Sequence, residues 1–362
     1  MKPISVFIRL FVGILFVFSG LVKANDPKGL SYKMQEFFEV WGLHGWDNYT
    51  LPLAVVLNTA EIFLGIAFLL SWKPKLINKS IFGLLIFFTL LTGYTYWTGL
   101  PKNCGCFGDC LPITPLISFL KDIFLLILLF ISFKLQKSNC GKQYIAYRGF
   151  YSLLAGVLAL LLQWFVLTHL PLIDCLPFKK GADLVEGRKM PANAIPDSTI
   201  IYFTYQKGDQ AVQFPANRFP ADFSSSTYKF VKREDRLIRK GENWEPPIKG
   251  FYLTGVTNID STDYVLSLPT AILIIVEKAK DVVDNLPVLD RLAYKEYYPA
   301  ASVFIVTAQF EETRNFLSST RFSGWPVFKC DLKAIQTAAR TSPCIYLLSN
   351  GKVVRKKVAK DF

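Results

Sequence analysis

Residues 4–21 read ISVFIRLFVGILFVFSGL, an apolar run of the length that a helix needs to cross a lipid bilayer. About 20 residues at roughly 1.5 Å each span the ~30 Å of hydrocarbon. Four further runs of this kind follow, at residues 51–71, 81–98, 116–133 and 150–170. The sequence therefore predicts five transmembrane helices in the first half of the chain.

The charge of the chain divides at the end of these runs. Of the 362 residues, 51% are hydrophobic and 19% are charged, and the formal net charge is +13; soluble domains usually contain about 25% charged residues. Residues 1–170 contain 14 Lys and Arg against 7 Asp and Glu, whereas residues 171–362 contain 27 against 21. This composition excludes a disordered chain and indicates a membrane half followed by a basic soluble domain. Because no cluster of basic residues is interleaved with aromatic ones, we expect no nucleic-acid partner.

The loops between the apolar runs predict the orientation. Residues 1–10, 72–80 and 134–148 together contain nine basic residues and no acidic one. The alternate loops, 23–50 and 99–115, contain four basic residues and five acidic ones. Positively charged loops stay in the cytoplasm, so we expect a cytoplasmic N-terminus. Five crossings then place everything after the fifth helix on the outer side of the membrane.

The seven cysteines sort with this topology. Six of them would lie in an oxidising compartment, where disulfides form, and only Cys140 would face the cytoplasm. Six cysteines allow many pairings, and the sequence does not choose among them. The six outer ones are Cys104, Cys106, Cys110, Cys175, Cys330 and Cys344.

Three cysteines share one loop, Asn103-Cys104-Gly105-Cys106-Phe107-Gly108-Asp109-Cys110, before the fourth apolar run. One interpretation is a structural disulfide, for which Cys175 is a possible partner. A second is a set of redox-active thiols, since exposed thiolates next to a membrane can exchange with disulfides. A third is a site for a soft metal, although no nearby His supplies a fourth ligand, and we assign no metal ligand. Cys104 and Cys106 are too close in sequence for a relaxed mutual disulfide, so Cys110 or a distant cysteine is the better partner.

At this loop the sequence resembles a family of membrane proteins. The Cys-Gly-Cys-Phe-Gly run is similar to that of the methylamine-utilisation MauE proteins and their DoxX-like relatives. The resemblance extends over roughly residues 4–135. It is also carried by residues 9–13 (RLFVG), 18–20 (FSG), Lys23, 26–29 (DPKG), the amphipathic stretch Tyr32–Trp41, Glu61 with Gly65, and 119–122 (FLKD).

This resemblance implies a membrane bundle of four helices that is linked to thiol–disulfide chemistry or to quinone-linked oxidation outside the bacterial cytoplasmic membrane. No residue pattern demands a cofactor, and a quinone is the one that the resemblance implies. We therefore expect a multi-pass protein of the inner membrane whose C-terminal domain is periplasmic.

Ionisable residues inside the apolar runs are functional candidates by default. Glu61 lies centrally in the second run, either as a buried structural hydrogen-bonding group or with a role in proton or ligand binding. Asp122 lies in the fourth run beside Lys121. Adjacent residues of a helix point about 100° apart, so we expect that Lys121 and Asp122 cannot both face one partner.

The remaining chain predicts a loop-rich β region and an α/β domain. Residues 171–249 begin with a linker and contain a strand pair, Thr199–Tyr205 and Ala211–Phe214, with 215–249 rich in loops. Continuous apolar runs alternate with helical segments after that. The predicted strands are Phe251–Thr254, Ala271–Val276, Ser302–Thr307, Val327–Lys329, Cys344–Leu348 and Lys352–Arg355, and the predicted helices are Leu286–Tyr297, Glu311–Leu317 and Leu332–Arg340, the last with Asp331 as N-cap. The last two strands flank an Asn-Gly hairpin turn.

The order of these elements resembles the thioredoxin fold. Thr341-Ser342-Pro343 is similar to the cis-proline loop of that family, which places Cys344 beside the site. Residues 277–285, where a thioredoxin carries Cys-x-x-Cys, read EKAKDVVDN and contain no cysteine. A dithiol oxidoreductase needs two thiols there, so this domain cannot perform that chemistry by itself. Cys344 is then either a buried strand residue or a single exchange thiol.

The domains are therefore predicted as a MauE-like bundle at 1–148, a fifth helix at 149–170, a linker and β region at 171–249, and a thioredoxin-like domain without Cys-x-x-Cys at 250–362. Such a fusion resembles a type found in Bacteroidetes. Its function would be thiol–disulfide or quinone-linked redox chemistry on the outer side, through Cys104, Cys106 and Cys110 and with a periplasmic redox partner. The alternative is a non-enzymatic assembly protein whose α/β domain docks a client, so the sequence leaves open whether the chain is an enzyme.

Overall fold

The structure is a computed structural model. It describes residues 3–101, 105, 107–111, 113–135, 142–196, 198–239, 241, 245–293 and 301–361, without the side chains of 142–145 and 292–293. The predicted redox thiols Cys104 and Cys106 lie outside the described residues, as does Cys140.

The described part of the first half is helical. All but the second of its helices are long and apolar enough to cross a membrane, which confirms the five predicted spans. Large apolar side chains on their outer faces are exposed, as contact with lipid requires, among them Phe7, Leu90 and Trp164. The helices are α1 (Pro3–Ala24), α2 (Pro27–Val40), α3 (Asp47–Leu69), α4 (Pro74–Thr98), α5 (Pro115–Leu135) and α6 (Lys142–Thr168).

Glycines allow α1 and α3 to approach closely. A Cβ on Gly65 would lie 3.0 Å from the backbone nitrogen of Val17 and 3.2 Å from the carbonyl oxygen of Gly13. Small residues at such crossings are typical of helix packing in membranes. Further along α1, a Cβ on Gly20 would lie 3.1 Å from the Cβ of Glu61. The same close approach therefore brings Glu61 to the end of α1.

The last spanning helix, α6, is fixed to α3 by buried amides. The Nδ2 of Asn58 donates to the Oε1 of Gln163 at 3.1 Å, and the Nε2 of Gln163 donates to the hydroxyl of Thr59 at 2.9 Å. Asn58 and Gln163 are fully buried. Polar side chains inside a bundle are stable there when they bond across helices.

A short helix, α7 (Leu184–Gly187), precedes a small antiparallel sheet of order β2-β1-β3. Its strands are β1 (Ser198–Lys207), β2 (Gln210–Pro215) and β3 (Tyr228–Arg239). The predicted strand pair is confirmed, but the prediction of a loop-rich 215–249 is wrong at β3. Ten of its twelve residues are exposed, so β3 lacks the apolar alternation that identifies a half-buried strand. Its hydrogen-bonded pairing with β1 stabilises this strand instead.

The C-terminal α/β domain has a five-stranded sheet of order β6-β5-β4-β7-β8. Strands β4, β5 and β6 are parallel, and β7 and β8 run antiparallel to their neighbours. This topology and the flanking helices form the predicted thioredoxin-like domain. The elements are α8 (Thr262–Ser267), β4 (Ala271–Val276), α9 (Ala279–Asp284), α10 (Leu286–Ala293), β5 (Ser302–Thr307), α11 (Phe310–Ser318), β6 (Val327–Lys329), α12 (Leu332–Ala338), β7 (Cys344–Ser349) and β8 (Lys352–Val358).

Three details of the predicted domain need correction. Phe251–Thr254 is not a strand: Phe251 and Leu253 are buried, but only Thr254 forms isolated bridges. Helices α8 and α9 have no predicted counterpart, because each has only six residues, too few for an apolar period to identify it, and three of those in α9 are charged. The predicted helix Leu332–Arg340 ends at Ala338. Its predicted N-cap is confirmed, since Asp331 accepts from the N–H groups of Lys333 and Ala334.

Candidate functional site

The described part of the cysteine loop, Gly105 and residues 107–111, forms a tight turn. The N–H of Gly108 donates to the carbonyl oxygen of Gly105 at 3.0 Å. Gly105 and Gly108 have φ values of +68° and +59°, a conformation that glycine adopts without steric cost. Cys106 lies between these two glycines in the sequence.

Different elements anchor the next residues of the loop. The ring of Phe107 lies 6.0 Å from that of Phe18 on α1, and the Nζ of Lys121 on α5 lies 4.8 Å from the Phe107 centroid. Cys110 forms a disulfide with Cys175, with a Cα–Cα distance of 5.0 Å. The loop and the segment after α6 therefore lie at the same end of the bundle. In this state Cys110 has no free thiol, as the structural-disulfide interpretation requires of it.

Asp109, the residue before Cys110, binds the α/β domain. Its carboxylate pairs with the guanidinium of Arg340, whose Nε lies 2.7 Å from an oxygen of Asp26. The Arg340 side chain is 5% exposed. Its burial alone would lower the pKa of Arg340, but the two carboxylates outweigh that effect and the pKa is raised. A single buried cation thus joins the α/β domain to two segments of the membrane domain.

A second contact lies at the position of the missing Cys-x-x-Cys. Glu277, the first residue after β4, accepts hydrogen bonds from the hydroxyl of Tyr32 and the amide of Gln336, each at 3.2 Å. Lys28 lies 3.8 Å from the same carboxylate. Burial, followed by the charge of Glu277, raises the pKa of Tyr32. Helix α2 of the membrane domain therefore covers the face that the thioredoxin resemblance identifies as the active-site face.

The backbone of this face has the features of the implied cis-proline loop. The Ser342–Pro343 peptide bond is cis. The N–H of Glu277 donates to the hydroxyl of Ser342 at 3.0 Å, and that hydroxyl donates to Asp281. The bond between Glu277 and Ser342 therefore ties the cis-proline loop to the residue that follows β4.

The two remaining described cysteines are buried. Cys330 and Cys344 are 4% and 0% exposed. Burial raises the pKa of each thiol to about 12. Since the thiolate is the nucleophile, neither group is poised for exchange at neutral pH, which supports the interpretation of Cys344 as a buried strand residue.

Inside the bundle, Glu61 pairs with Lys23. The two side chains are 2% and 3% exposed, and the Nζ of Lys23 also lies 4.6 Å from the ring centroid of Phe88. The second carboxylate oxygen of Glu61 has no hydrogen-bond partner among the described residues. The pair is buried, and one oxygen of Glu61 is available to a further hydrogen-bond donor.

A cavity of about 30 Å³ adjoins this pair. It has room for roughly one or two water molecules. Its polar lining residues are Ser19, Lys23, Glu61, Lys121 and Asp122, and its apolar ones are Leu15, Phe16, Leu85, Phe88 and Leu125. A second cavity of similar volume shares Lys23 and Phe88 and extends to Lys33, Thr92 and Gly105. The cysteine loop therefore lies next to the buried charges.

The expectation that Lys121 and Asp122 cannot face one partner is wrong, since both line the first cavity. The long Lys121 side chain reaches back to its neighbour, with Nζ 2.9 Å from the Asp122 carboxylate. Asp122 also accepts from the hydroxyl of Thr92 at 3.1 Å.

Sequence reasoning missed Arg340, Tyr32 and Glu277 as site residues and treated Lys23 only as part of a family motif. For one of these contacts the sequence offers a local signal: Asp109, the partner of Arg340, stands between a glycine and a cysteine in the loop. For Arg340 the pairing partners are more than 230 residues away in sequence, so no local pattern could identify them.

Comparison with known proteins supports the membrane assignment. Residues 1–135 match the family of the methylamine utilisation protein MauE. Residues 194–240, which include β1 to β3, match a domain of unknown function, DUF8463. A curated relative, Protein TlpB of Flavobacterium psychrophilum, is 29% identical over 167 residues, which cover 44% of this chain and 43% of the relative. The match thus spans less than half of the length of that relative, and no solved structure matches the chain.

The MauE match covers four of the five spanning helices, α1, α3, α4 and α5, and the five-stranded sheet of the α/β domain has the strand order β6-β5-β4-β7-β8. The chain is therefore a multi-pass membrane protein in which residues 1–135 form a MauE-like domain and a thioredoxin-like α/β domain follows.

Proposed function

We propose that this protein is a membrane component of thiol–disulfide exchange, with the cysteine loop as its reactive part on the outer side of the cytoplasmic membrane. The observation that carries the proposal is the Cys110–Cys175 disulfide, one half of which lies in a loop whose sequence contains two more cysteines, Cys104 and Cys106. A disulfide with thiols close by in sequence provides both reactants of an exchange step.

The internal step balances without an added oxidant. The thiolate of Cys106 attacks the Sγ of Cys110, and a bond forms between these sulfurs while the Cys110–Cys175 bond breaks. Cys175 leaves as a thiolate and takes up the proton that Cys106 released. With a partner dithiol, the same disulfide is reduced to two thiols while the partner is oxidised to a disulfide.

The buried charges would serve proton movement in this scheme. Exchange with a partner dithiol moves two protons from the partner to Cys110 and Cys175, and the unsatisfied oxygen of Glu61, which lies beside a cavity that can hold water, would relay them. Asp122 lines the same cavity and would be a second acceptor. The cavity of about 30 Å³ is too small for a quinone ring, so we derive no step through a quinone, which stays a prediction for the electron acceptor.

The distribution of charge supports the side of the membrane. The loops at the end opposite to the cysteine loop contain all the basic excess of the membrane half. Such loops remain in the cytoplasm, and the cysteine loop and α/β domain would then face an oxidising compartment. A bacterial inner membrane with a periplasmic α/β domain fits this arrangement.

The test is the redox state of Cys104, Cys106 and Cys110 in intact cells, measured by trapping with a mass tag. We expect a mixture of thiol and disulfide forms that shifts with added reductant and with Cys106→Ser. The matched control is Cys330→Ser, which removes a buried thiol that bonds the carbonyl oxygen of Gly250 in the α/β domain. A cluster that is fully oxidised, insensitive to reductant and unchanged by Cys110→Ser would refute the proposal.

The second candidate is a non-enzymatic assembly protein. It is favoured by Glu277 at the position of the missing dithiol and by large apolar side chains that β3 exposes, such as Phe230 and Ile238. Because α2 covers the thioredoxin-type face, a client would dock elsewhere, and β3 is an exposed edge strand. Crosslinked client that survives serine replacement of Cys104 and Cys106 would support this candidate, and loss of the client would oppose it.

A further inference from the structure

We propose that the α/β domain holds both halves of the Cys110–Cys175 disulfide through two buried cations, and that Arg340 and Lys356 are positioning residues for this bond. The inference rests on the proposed function for its biological meaning. Its geometry is independent of Cys104 and Cys106.

Each disulfide cysteine follows an aspartate that binds the α/β domain. Asp109 precedes Cys110 and pairs with Arg340, and Asp174 precedes Cys175 and lies 2.7 Å from the Nζ of Lys356. The Arg340 and Lys356 side chains are 5% and 3% exposed. Arg340 follows α12 and Lys356 lies on β8, so the same domain supplies both cations.

Surrounding contacts fix the two cations. The guanidinium of Arg340 also donates to the carbonyl oxygen of Gln336 and lies 5.4 Å from the ring centroid of Tyr32. The Nζ of Lys356 lies 5.4 Å from the ring centroid of Tyr346, which is fully buried. Buried charges that bond several partners hold those partners in one geometry.

Residues at the end of α1 and the start of α2 also bind Arg340 and the segment that carries Cys175. Asp26 caps α2 by accepting from the N–H of Gly29 at 2.9 Å while it binds Arg340. A Cβ on Gly29 would lie 2.6 Å from the Asp26 carboxylate and 3.3 Å from Arg340. Asn25 bonds both the N–H and the carbonyl oxygen of Ile173, two residues before Cys175. The segments that carry the two cysteines are therefore held beside each other by contacts other than the disulfide.

Such anchoring has a chemical consequence. When the disulfide opens, the aspartates stay bound, so Cys110 and Cys175 remain close and each is at a high effective concentration for the other. The bond then closes again readily and resists reduction. An exchange loop built in this way returns to its oxidised form once the attacking thiol withdraws.

The test is the equilibrium between open and closed Cys110–Cys175 in the purified full-length protein, in nanodiscs, with Cys104→Ser and Cys106→Ser present. A dithiothreitol series and mass-tag analysis give the fraction closed. We expect Arg340→Gln and Lys356→Gln each to shift the equilibrium toward the reduced form by about tenfold, the equivalent of one charged hydrogen bond. Arg340→Lys should restore part of the effect.

The matched control is Lys352→Gln on the same strand, since Lys352 makes an exposed pair with Asp183 at 4.0 Å away from the disulfide. If Arg340→Gln does not fold, the milder Asp109→Asn and Asp174→Asn decide the question. Asp174→Asn combined with Lys356→Gln should shift the equilibrium no further than either change alone. Variants that match Lys352→Gln in this equilibrium would overturn the inference. Because Cys104 and Cys106 are absent here, failure of the proposed exchange in cells leaves this result unaffected.

Discussion

Neutralising one member of the Lys23–Glu61 pair should destabilise the bundle far more than neutralising both. Glu61→Gln leaves a lysine ammonium with 3% exposure among apolar helices. Lys23→Met leaves a carboxylate with 2% exposure and an oxygen that already has no hydrogen-bond partner among the described residues. Removing one partner of a buried ion pair costs about 3–5 kcal/mol, because the other charge remains without compensation.

The double variant Lys23→Met/Glu61→Gln removes both desolvated charges. Replacing a buried pair by neutral groups of similar volume is often neutral or stabilising, so we expect a loss below about 1 kcal/mol relative to the wild type. The two single effects therefore should not add, and the coupling energy should be about 3 kcal/mol or more.

The assay is reversible unfolding of the four proteins in the same detergent, followed by tryptophan fluorescence. The matched control is the cycle Lys33→Gln/Glu36→Gln on α2, an ion pair at 3.1 Å whose side chains are 19% and 27% exposed. That pair should couple by only about 0.3–0.5 kcal/mol. Single variants at Lys23 and Glu61 that lose less than the control pair, or single effects that add in the double variant, would refute the reasoning.

Three further outcomes follow from the packing and the cysteines. Gly65→Leu should lower the free energy of unfolding by about 1–3 kcal/mol or abolish folding, because the new side chain separates α1 from α3. Gly83→Leu should be neutral, since nothing lies within 4 Å of its Cβ position. Thermal unfolding in detergent distinguishes the two variants. Cys330 and Cys344 should resist alkylation in the folded protein at pH 8, as burial raises each pKa to about 12. Rapid labelling of either cysteine at pH 8 would contradict this burial. The pKa of each thiol is higher in the folded protein than in the unfolded chain, so the stability that the protonated thiols contribute should fall as the pH rises from about 9 to 12. Reducing Cys110–Cys175, which closes a loop with a sequence separation of 65 residues, should cost about 2–4 kcal/mol in chemical denaturation, whereas Cys110→Ser, which has no such bond, should lose nothing further on reduction.

The sequence predicts those parts of the fold that depend on local pattern. The five spans follow from apolar length, and β4 and β5 have the predicted limits because each is a continuous apolar run. Strand β3 could not be predicted in this way, since it is stabilised by pairing with β1 and buries little of its own surface. Helix α9 is too short for an apolar period to identify it.

The candidate site likewise contains residues that the sequence identifies and residues that it does not. A buried Glu61 could be identified from the sequence, since an ionisable residue in an apolar run is rare without a function. Its partner Lys23 could not, because the pairing depends on the angle at which α1 crosses α3. The contacts of Arg340 and Lys356 depend on how a whole domain docks on the bundle, which no local feature of the sequence encodes.

This docking explains why a thioredoxin-like domain without its dithiol retains a structured active-site face. The N–H of Glu277 donates to the hydroxyl of Ser342, and its carboxylate accepts from the hydroxyl of Tyr32 on α2, so this face makes an internal contact that cysteines would not provide. The disulfide cysteines that the structure describes lie instead in the loop before α5 and in the segment after α6, each directly after an aspartate that binds this domain. Because Asp109 and Asp174 directly precede these cysteines and both bind the α/β domain, we expect a movement of that domain to change the geometry of the disulfide. In the proposed exchange, the α/β domain therefore positions the disulfide, and the loop provides the reacting thiols.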